Sequence, residues 1–295
     1  MADLPASMNR RSFLAGVSAA GAFLVTRRVD GAAPDASAGG PGGGQVPRGA
    51  FRFLVVNDLH HAGPECDPFF EQLVGQMRSH QDVAFCLIGG DLSDKGRPES
   101  FAAIKRIFAG LGTPVHTVPG NHDNDEAGDT SLYTATFPDA LNHAFEHRGW
   151  QFIGLDSTES YNWGDTHISP ATLAFLDDCV PGLDRKAPTV VFTHFPLAED
   201  VRLAPVNARA VLDRLAPLNL RAAFCGHYHS RTIRRHGAAL LVTNVCCARV
   251  RSNHDGTRPE GYLLCTAHAD GRLVQEFVEF RPATENPAAP PGMAG

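Results

Sequence analysis

Five short motifs in this chain carry side chains that could bind metal ions. They are, in chain order, Asp58-Leu59-His60, Gly90-Asp91, Gly120-Asn121-His122-Asp123, Thr193-His194 and Gly226-His227-Tyr228-His229. Their carboxylate, amide and imidazole groups are numerous enough to hold two divalent cations, and the mixture favours Mn, Fe, Zn or Ni over Ca. Two neighbouring cations share a carboxylate and polarise a phosphate, so the motifs indicate metal-assisted hydrolysis of phosphate esters.

The local sequence around two of the motifs suggests how the cations would be shared. Asp91 follows Gly89-Gly90, where the missing side chains let backbone and ligand approach closely, and this suits a bridging carboxylate. His227 and His229 are separated by one residue. In an extended loop both rings could point at a two-metal centre, one ring to each cation.

The motifs follow short apolar runs that predict buried strands. These runs are Phe51–Val56, Val83–Ile88, Val115–Val118, Phe152–Leu155, Val190–Thr193 and Ala222–Cys225. They are apolar on both faces, which is typical of strands covered on both sides. Apolar spacing predicts helices at 69–78, 100–111, 170–179 and 208–215, with Ser169 as N-cap and Pro170 at the first helical position.

The C-terminal part is predicted to be β-rich. Strands are expected at 240–243, 262–267 and 273–280, and Ala269-Asp270-Gly271 predicts a hairpin turn between the last two. The organisation is therefore α/β. In open α/β sheets ligands bind beyond the carboxyl ends of the strands, so all five motifs are expected to converge at one edge.

Taken together in this order, the motifs resemble those of the calcineurin-like metallophosphoesterase superfamily. The similarity runs from about Phe51 to Phe280 and includes all five blocks. It implies a single-domain, layered α/β/β/α sandwich with two divalent metal ions. It also implies that the first metal is held by Asp58, His60, Asp91 and His229, and the second by Asp91, Asn121, His194 and His227.

The resemblance further implies roles for the two residues that follow Asn121. His122 would lie over the phosphate and protonate the leaving oxygen, and Asp123 would orient His122 and raise its pKa. The reaction would be an in-line attack on phosphorus by a hydroxide held between the metals, without a covalent enzyme intermediate.

Within the superfamily, the chain is most similar to the class III cyclic-nucleotide phosphodiesterase branch, which in turn resembles glycerophosphodiesterases. The supporting features are Asp-Leu-His in the first block and Gly96-Arg97-Pro98 after the second. A phosphomonoesterase is the alternative. The purple-acid-phosphatase-like branch carries a Tyr ligand in a G-D-x-x-Y block, and no Tyr follows Gly90-Asp91 at that spacing, which disfavours it. A non-catalytic metal-binding scaffold is a further alternative, and it is disfavoured because no ligand is missing.

Several residues outside the motifs are expected to have supporting or substrate-contacting roles, or none. His61 is expected to be a surface or supporting residue, and Arg251, Asn253 and His254 are expected in a solvated loop. Asp156 could support the site. The aromatic residues Tyr161, Trp163 and Tyr228 could stack on a ring of the substrate, with Trp163 the best candidate because it lies next to a glycine.

Composition and the N-terminal sequence indicate the substrate class, the domain boundaries and the location of the protein. The formal net charge is −6 without a basic cluster, so a small phosphorylated substrate is expected and a nucleic-acid polymer is not. Arg10-Arg11-Ser12-Phe13-Leu14 and the apolar stretch after it resemble a twin-arginine export signal. We predict an export signal at 1–38, engaging the export machinery, a Gly/Pro linker at 39–48, the catalytic domain at 49–281 and a disordered tail at 282–295. The expected location is periplasmic or extracellular, with membrane tethering if the signal is not cleaved.

Overall fold

The computed structural model describes residues 46, 48–125 and 127–283, and in these ranges the chain forms eleven strands and five α-helices. The strands are β1 (Phe51–Val56), β2 (Val83–Gly89), β3 (Val115–Val118), β4 (His143–His147), β5 (Trp150–Leu155), β6 (Pro188–Thr193), β7 (Asn219–Cys225), β8 (Thr232–His236), β9 (Ala239–Thr243), β10 (Glu260–Ala267) and β11 (Leu273–Phe280). The α-helices are α1 (Asp67–Arg78), α2 (Pro98–Ala109), α3 (Ser131–Thr136), α4 (Pro170–Cys179) and α5 (Ala208–Leu215). Short 3-10 helices cover Pro64–Cys66, Asn121–Asp123 and Val180–Gly182.

The apolar runs form strands as predicted, and three further elements were not predicted. The Ser169 side chain accepts a hydrogen bond from the N–H of Thr172, which confirms the predicted N-cap of α4. The elements missed are α3, β4 and β8. β4 and β8 lie at the two edges of their sheet, and their sequences HAFEH and TIRRH lack an apolar run because most of their side chains are only partly covered.

The strands form two mixed sheets. The first has the order β11-β10-β1-β2-β3, and the second has the order β4-β5-β6-β7-β9-β8. Strands β1, β2 and β3 are parallel, as are β5, β6, β7 and β9, whereas β10, β11, β4 and β8 pair in antiparallel fashion. The predicted hairpin turn joins β10 to β11, with Gly271 at a φ of 82°.

A layer of aromatic side chains holds the two sheets face to face. Phe53 and Phe85 of the first sheet stack at 5.4 Å between ring centroids, and Phe152 of the second sheet meets each of them edge-on at 5.4 and 5.0 Å. Within β1 the alternation of a strand divides the side chains. Phe53 enters this inter-sheet core, whereas Leu54 enters the core on the helix side.

Helices cover the outer face of each sheet and complete the layered α/β/β/α sandwich. Helices α1 and α2 pack in one core cluster with residues of the first sheet, and α4 and α5 pack with residues of the second. In α5 the buried residues are Ala208, Val211, Leu212 and Leu215, which is the spacing of one helix face.

Predictions about the ends of the chain fall mainly outside the described residues. The export signal at 1–38, most of the linker at 39–48 and the tail beyond 283 all lie there. Within the described part of the chain, the helices are too short or too polar to cross a bilayer.

Candidate metal centre

The predicted ligands lie where five parallel strands end. Asp58 and His60 follow β1, Asp91 follows β2 and Asn121 follows β3 in the first sheet. His194 follows β6, and His227 and His229 follow β7, in the second sheet. The carboxyl ends of both sheets meet at the same edge of the sandwich, so side chains from distant parts of the sequence converge there.

These side chains form two overlapping buried clusters. The ligand atoms of Asp58, His60, Asp91 and His229 lie within 4.8 Å of one another, as do those of Asp91, His194 and His227. The Asn121 Oδ1 atom lies 3.3 Å from His194 Nε2 and so adjoins the second cluster. Asp91 belongs to both clusters. Each cluster draws side chains from both sheets.

One oxygen of Asp91 lies between the two groups of histidines. Its Oδ2 atom is 3.3 Å from His60 Nε2 and 3.4 Å from His194 Nε2. His60 Nε2 is also 3.2 Å from His229 Nε2, and His229 Nε2 is 3.1 Å from Asp58 Oδ1. Carboxylate oxygens and imidazole nitrogens thus converge on common points, which is the arrangement that a cation requires.

The backbone at these ligands is strained. Asp58, His60, Asp91, His227 and His229 adopt φ values of 54°, 47°, 53°, 65° and 44°. This left-handed region is unfavourable for residues other than glycine and is common at functional sites. The strain turns successive side chains toward one point.

Two glycines keep the space that the ligands occupy. A Cβ atom on Gly90 would lie 2.5 Å from His194 Nδ1, and a Cβ atom on Gly120 would collide with the Asp91 carboxylate. Gly90 also has a φ of 87°. The glycines of these motifs are therefore required by close packing against the ligands themselves.

Backbone carbonyl groups orient three of the imidazole rings. His194 Nδ1 donates to the Gly89 oxygen at 3.0 Å, His229 Nδ1 to the Ser252 oxygen at 3.2 Å, and His227 Nε2 to the Trp163 oxygen at 2.8 Å. One nitrogen of each ring is thereby occupied, and the other is left for a metal ion.

Burial and mutual contact shift the pKa values of the cluster strongly. Burial would raise the pKa of Asp58 and Asp91, but neighbouring imidazoles, chiefly His229 and His194 respectively, hold both pKa values below their usual range. Burial likewise opposes protonation of the histidines. The carboxylates nevertheless raise the pKa of His194 to about 9, mainly through Asp91, and that of His229 to about 11, mainly through Asp58.

The chemistry of the donor set fits two divalent cations. The carboxylates are ionised, and protonated imidazoles compensate their charge. A divalent cation supplies the same positive charge and displaces those protons.

His122 lies beside the clusters, and its surroundings differ from the prediction. Its backbone N–H donates to Asp91 Oδ1 at 2.9 Å. Its ring Nδ1 lies 2.9 Å from the carbonyl oxygen of Asp94 and 3.1 Å from the hydroxyl of Tyr161. The prediction that Asp123 orients this ring is wrong, because Asp94 and Tyr161 contact it instead.

Asp123 holds the loops together. Its carboxylate accepts hydrogen bonds from the backbone N–H groups of Leu92, Ser93 and Gly120 at 3.1, 2.8 and 2.9 Å. Burial, together with the nearby Asp91 carboxylate, raises the pKa of Asp123 to about 7. Asp123 therefore ties the loop that carries Asp91 to the loop that carries His122.

Asp94 contacts the candidate centre, and the sequence analysis missed it. Its Oδ1 atom lies 3.3 Å from His60 Nδ1, the nitrogen that faces away from the cluster. The same oxygen accepts hydrogen bonds from Arg251 Nε and Nη2 at 2.8 and 2.6 Å. An acidic residue three positions after the bridging Asp91 was the available signal. Asp94 supports His60 through its carboxylate and His122 through its carbonyl group.

Three other residues that the sequence analysis named lie near the centre but outside the two clusters. His61 is buried, hydrogen-bonded to Asp67 at 2.8 Å, and belongs to neither cluster. His254 is exposed, as expected for a loop, yet its ring stacks on His229 at 4.5 Å between centroids. Asp156 accepts hydrogen bonds from the backbone and hydroxyl of Thr158, so it shapes its own loop.

Comparison with known proteins agrees with this geometry. Residues 51–231 match the family model described as calcineurin-like phosphoesterase. A 3′,5′-cyclic-nucleotide phosphodiesterase of Nostoc sp. is 28% identical over 202 residues, which cover 64% of this chain and 74% of the relative. A glycerophosphodiester phosphodiesterase of Enterobacter lignolyticus is 24% identical over 190 residues, covering 59% of this chain and 66% of the relative.

Solved structures share the fold. The purple acid phosphatase of yellow lupin superposes with a TM-score of 0.60 at 12% identity, over 78% of this chain and 51% of the lupin chain. At that identity the similarity concerns the fold alone.

Proposed function

Because this chain belongs to the calcineurin-like phosphoesterase family, we propose that it hydrolyses small phosphodiesters such as cyclic nucleotides or glycerophosphodiesters. The chain is a metallophosphoesterase, an enzyme that depends on two divalent metal ions. The observation that carries the proposal is Asp91, which is shared by two buried ligand clusters while it accepts a hydrogen bond from the backbone of His122.

The proposed ligand sets follow the two clusters. The first metal is assigned to Asp58, His60, Asp91 and His229, and the second to Asp91, Asn121, His194 and His227. Bound there, two divalent ions would lower the pKa of a water molecule and neutralise phosphate oxygens. Mn, Fe or Zn suit this mixture of oxygen and nitrogen donors.

His122 is proposed to act on the leaving group. Its Nδ1 atom donates to the Asp94 carbonyl, so Nε2 is the nitrogen left to face the substrate. In the imidazolium form Nε2 carries a proton that it can give to the departing oxygen. This assistance matters most for an alkyl diester, whose alkoxide is a poor leaving group.

The names of the relatives support a diester substrate. Both the Nostoc and the Enterobacter relatives are named as phosphodiesterases. The third position after Asp91, at which the G-D-x-x-Y block of purple acid phosphatases has its Tyr ligand, is Asp94 here. Export, which remains a prediction, would favour phosphodiesters from outside the cell.

The test compares an aryl phosphodiester with the matching aryl phosphomonoester, using the purified chain with added Mn²⁺. We expect the diester to be hydrolysed with the higher kcat/KM. Preference for the monoester would assign the chain to the phosphatases. Absence of turnover with either ester, in protein shown to bind Mn²⁺, would contradict the proposal.

A further inference from the structure

One large aromatic side chain is exposed beside the metal centre. Trp163 has 64% of its surface accessible, and it is the only exposed aromatic residue among those that the structure describes. The other tryptophan, Trp150, is 2% exposed and donates its indole N–H to the carbonyl oxygen of His268. Exposing the apolar surface of an indole ring to water is unfavourable, and covering it with a ligand would recover that free energy.

The backbone of Trp163 is fixed directly on a metal-binding side chain. Its carbonyl oxygen accepts the hydrogen bond from His227 Nε2 at 2.8 Å. Two residues earlier, the hydroxyl of Tyr161 lies 3.1 Å from His122 Nδ1, and the two rings are 5.1 Å apart. The chain from 161 to 163 thus runs along the centre from the leaving-group histidine to the second metal cluster.

The segment that carries Trp163, residues 159–167, which we name the aromatic loop, is held in place. Glu159 accepts hydrogen bonds from the backbone of Asn162 at 3.2 Å and, through its carboxylate, from that of His167 at 2.8 Å. At the other end, Val206 donates to the Thr166 oxygen at 2.8 Å. A ring presented on a fixed loop loses little conformational entropy when a ligand stacks on it.

We propose that Trp163 is a stacking platform for the base of a nucleotide phosphodiester. The inference rests on the proposed phosphodiesterase function and narrows its substrate class. A phosphate at the centre would place the organic groups of the ester at the rim, where the indole is exposed. A planar heterocycle can cover the indole face, whereas a glycerol group has no ring to stack.

The first experiment uses two substrates that differ only in the base. These are adenosine 3′,5′-cyclic phosphate and the 3′,5′-cyclic phosphate of methyl riboside, both assayed with the full chain and Mn²⁺. We expect W163A to lower kcat/KM for the adenosine diester about ten-fold, because stacking of a base on an aromatic ring is commonly of that size. The abasic diester should change less than about two-fold, and W163F should keep most of the preference.

The second experiment reads binding without turnover. A hydrolysis-resistant adenosine cyclic phosphorothioate should quench the fluorescence of the wild-type chain, because Trp163 is the exposed member of two tryptophans. The quenching should be lost in W163F, in which the buried Trp150 remains. V274A, which shortens another exposed apolar side chain on β11 in the first sheet, serves as a control and should behave like the wild type.

The outcomes separate the two proposals. Equal loss of both cyclic diesters in W163A, or no loss of either, would overturn the platform while the phosphodiesterase function stands. A wild-type chain that hydrolyses neither the aryl diester nor the cyclic diesters would overturn both. Because Trp163 is exposed, its replacement should leave thermal unfolding unchanged, and this separates a folding defect from a binding defect.

Discussion

Asp94 gives the most specific prediction about the centre. Replacing it in D94N removes a carboxylate charge that lies 3.3 Å from His60 Nδ1, on a side chain only 15% exposed. A hydrogen bond to a charged group contributes about 1.5 to 3 kcal/mol, which corresponds to about 10- to 100-fold in an equilibrium constant. Loss of a carboxylate that orients a metal-binding histidine has effects of the same size.

We therefore expect D94N to weaken Mn²⁺ binding by about 10- to 100-fold. Turnover at saturating Mn²⁺ should be largely restored, because the carbonyl oxygen that contacts His122 belongs to the backbone and survives the substitution. The measurements are calorimetric titration of chelator-treated protein with Mn²⁺ and the dependence of kcat on Mn²⁺ concentration.

Two further variants serve as controls for D94N. R251A removes the other partner of Asp94, and since the Arg251 side chain is 40% exposed we expect at most about a five-fold effect. D177N breaks a comparable pair with Arg214 on α4 and α5 and should not change Mn²⁺ binding. Unchanged Mn²⁺ affinity in D94N together with low turnover at saturation would refute the reasoning.

Three other substitutions test the centre and its surroundings. H122A should retain both metals, because its backbone N–H still donates to Asp91, but should lose turnover most strongly with alkyl diesters; full activity would contradict the assigned role. D91A and H194A should each lose metal and activity together, as measured by elemental analysis and the diester assay, and metal-loaded but inactive protein would contradict the ligand assignment. Burial, with a smaller effect of His143, lowers the pKa of His116 to about 4. Between about pH 6.5 and 4, His116 is protonated in the unfolded chain but stays neutral in the folded chain. The free energy of unfolding therefore falls as pH falls through this range. In H116F the acid-induced loss of unfolding free energy should be smaller by about 2 kcal/mol at pH 4.5, a value discounted for the partial exposure of the ring. Urea unfolding in the presence of chelator measures this difference. An identical pH dependence in the two proteins would contradict it.

Local patterns were sufficient to predict the central strands and the convergence of the candidate ligands at one sheet edge. β1 begins and ends where its apolar run does, β2 extends one residue beyond its run, and Asp58 and His194 follow buried strands as expected. The reason is that a strand covered on both faces has a continuous apolar sequence, and its end marks the sheet edge. The edge strands β4 and β8 of the second sheet lack this signal, because their partly exposed side chains need not be apolar.

Contacts between distant segments could not be predicted from the sequence. Asp94 and Arg251 are separated by 157 positions, and their pairing depends on how the loop before β10 lies over the first sheet. The hydrogen-bond partners of Asp123 could not be predicted either. The motif predicted a partner for the adjacent His122, but the tight turn at Asn121–Asp123 directs the carboxylate to backbone N–H groups.

The two ligand clusters also have a mechanical consequence. Each joins residues of the first sheet to residues of the second, and the contact between Asp58 and His229 spans 171 positions of the chain. A metal ion held there would act as a cross-link that closes a loop of well over a hundred residues. Because such an ion would bind the folded chain and dissociate on unfolding, it would stabilise the fold by mass action, by about 2.7 kcal/mol at a free metal concentration a hundred-fold above its Kd. The same ions that serve the reaction would then hold the two sheets together. Removing them with a chelator would speed unfolding as well as stop turnover.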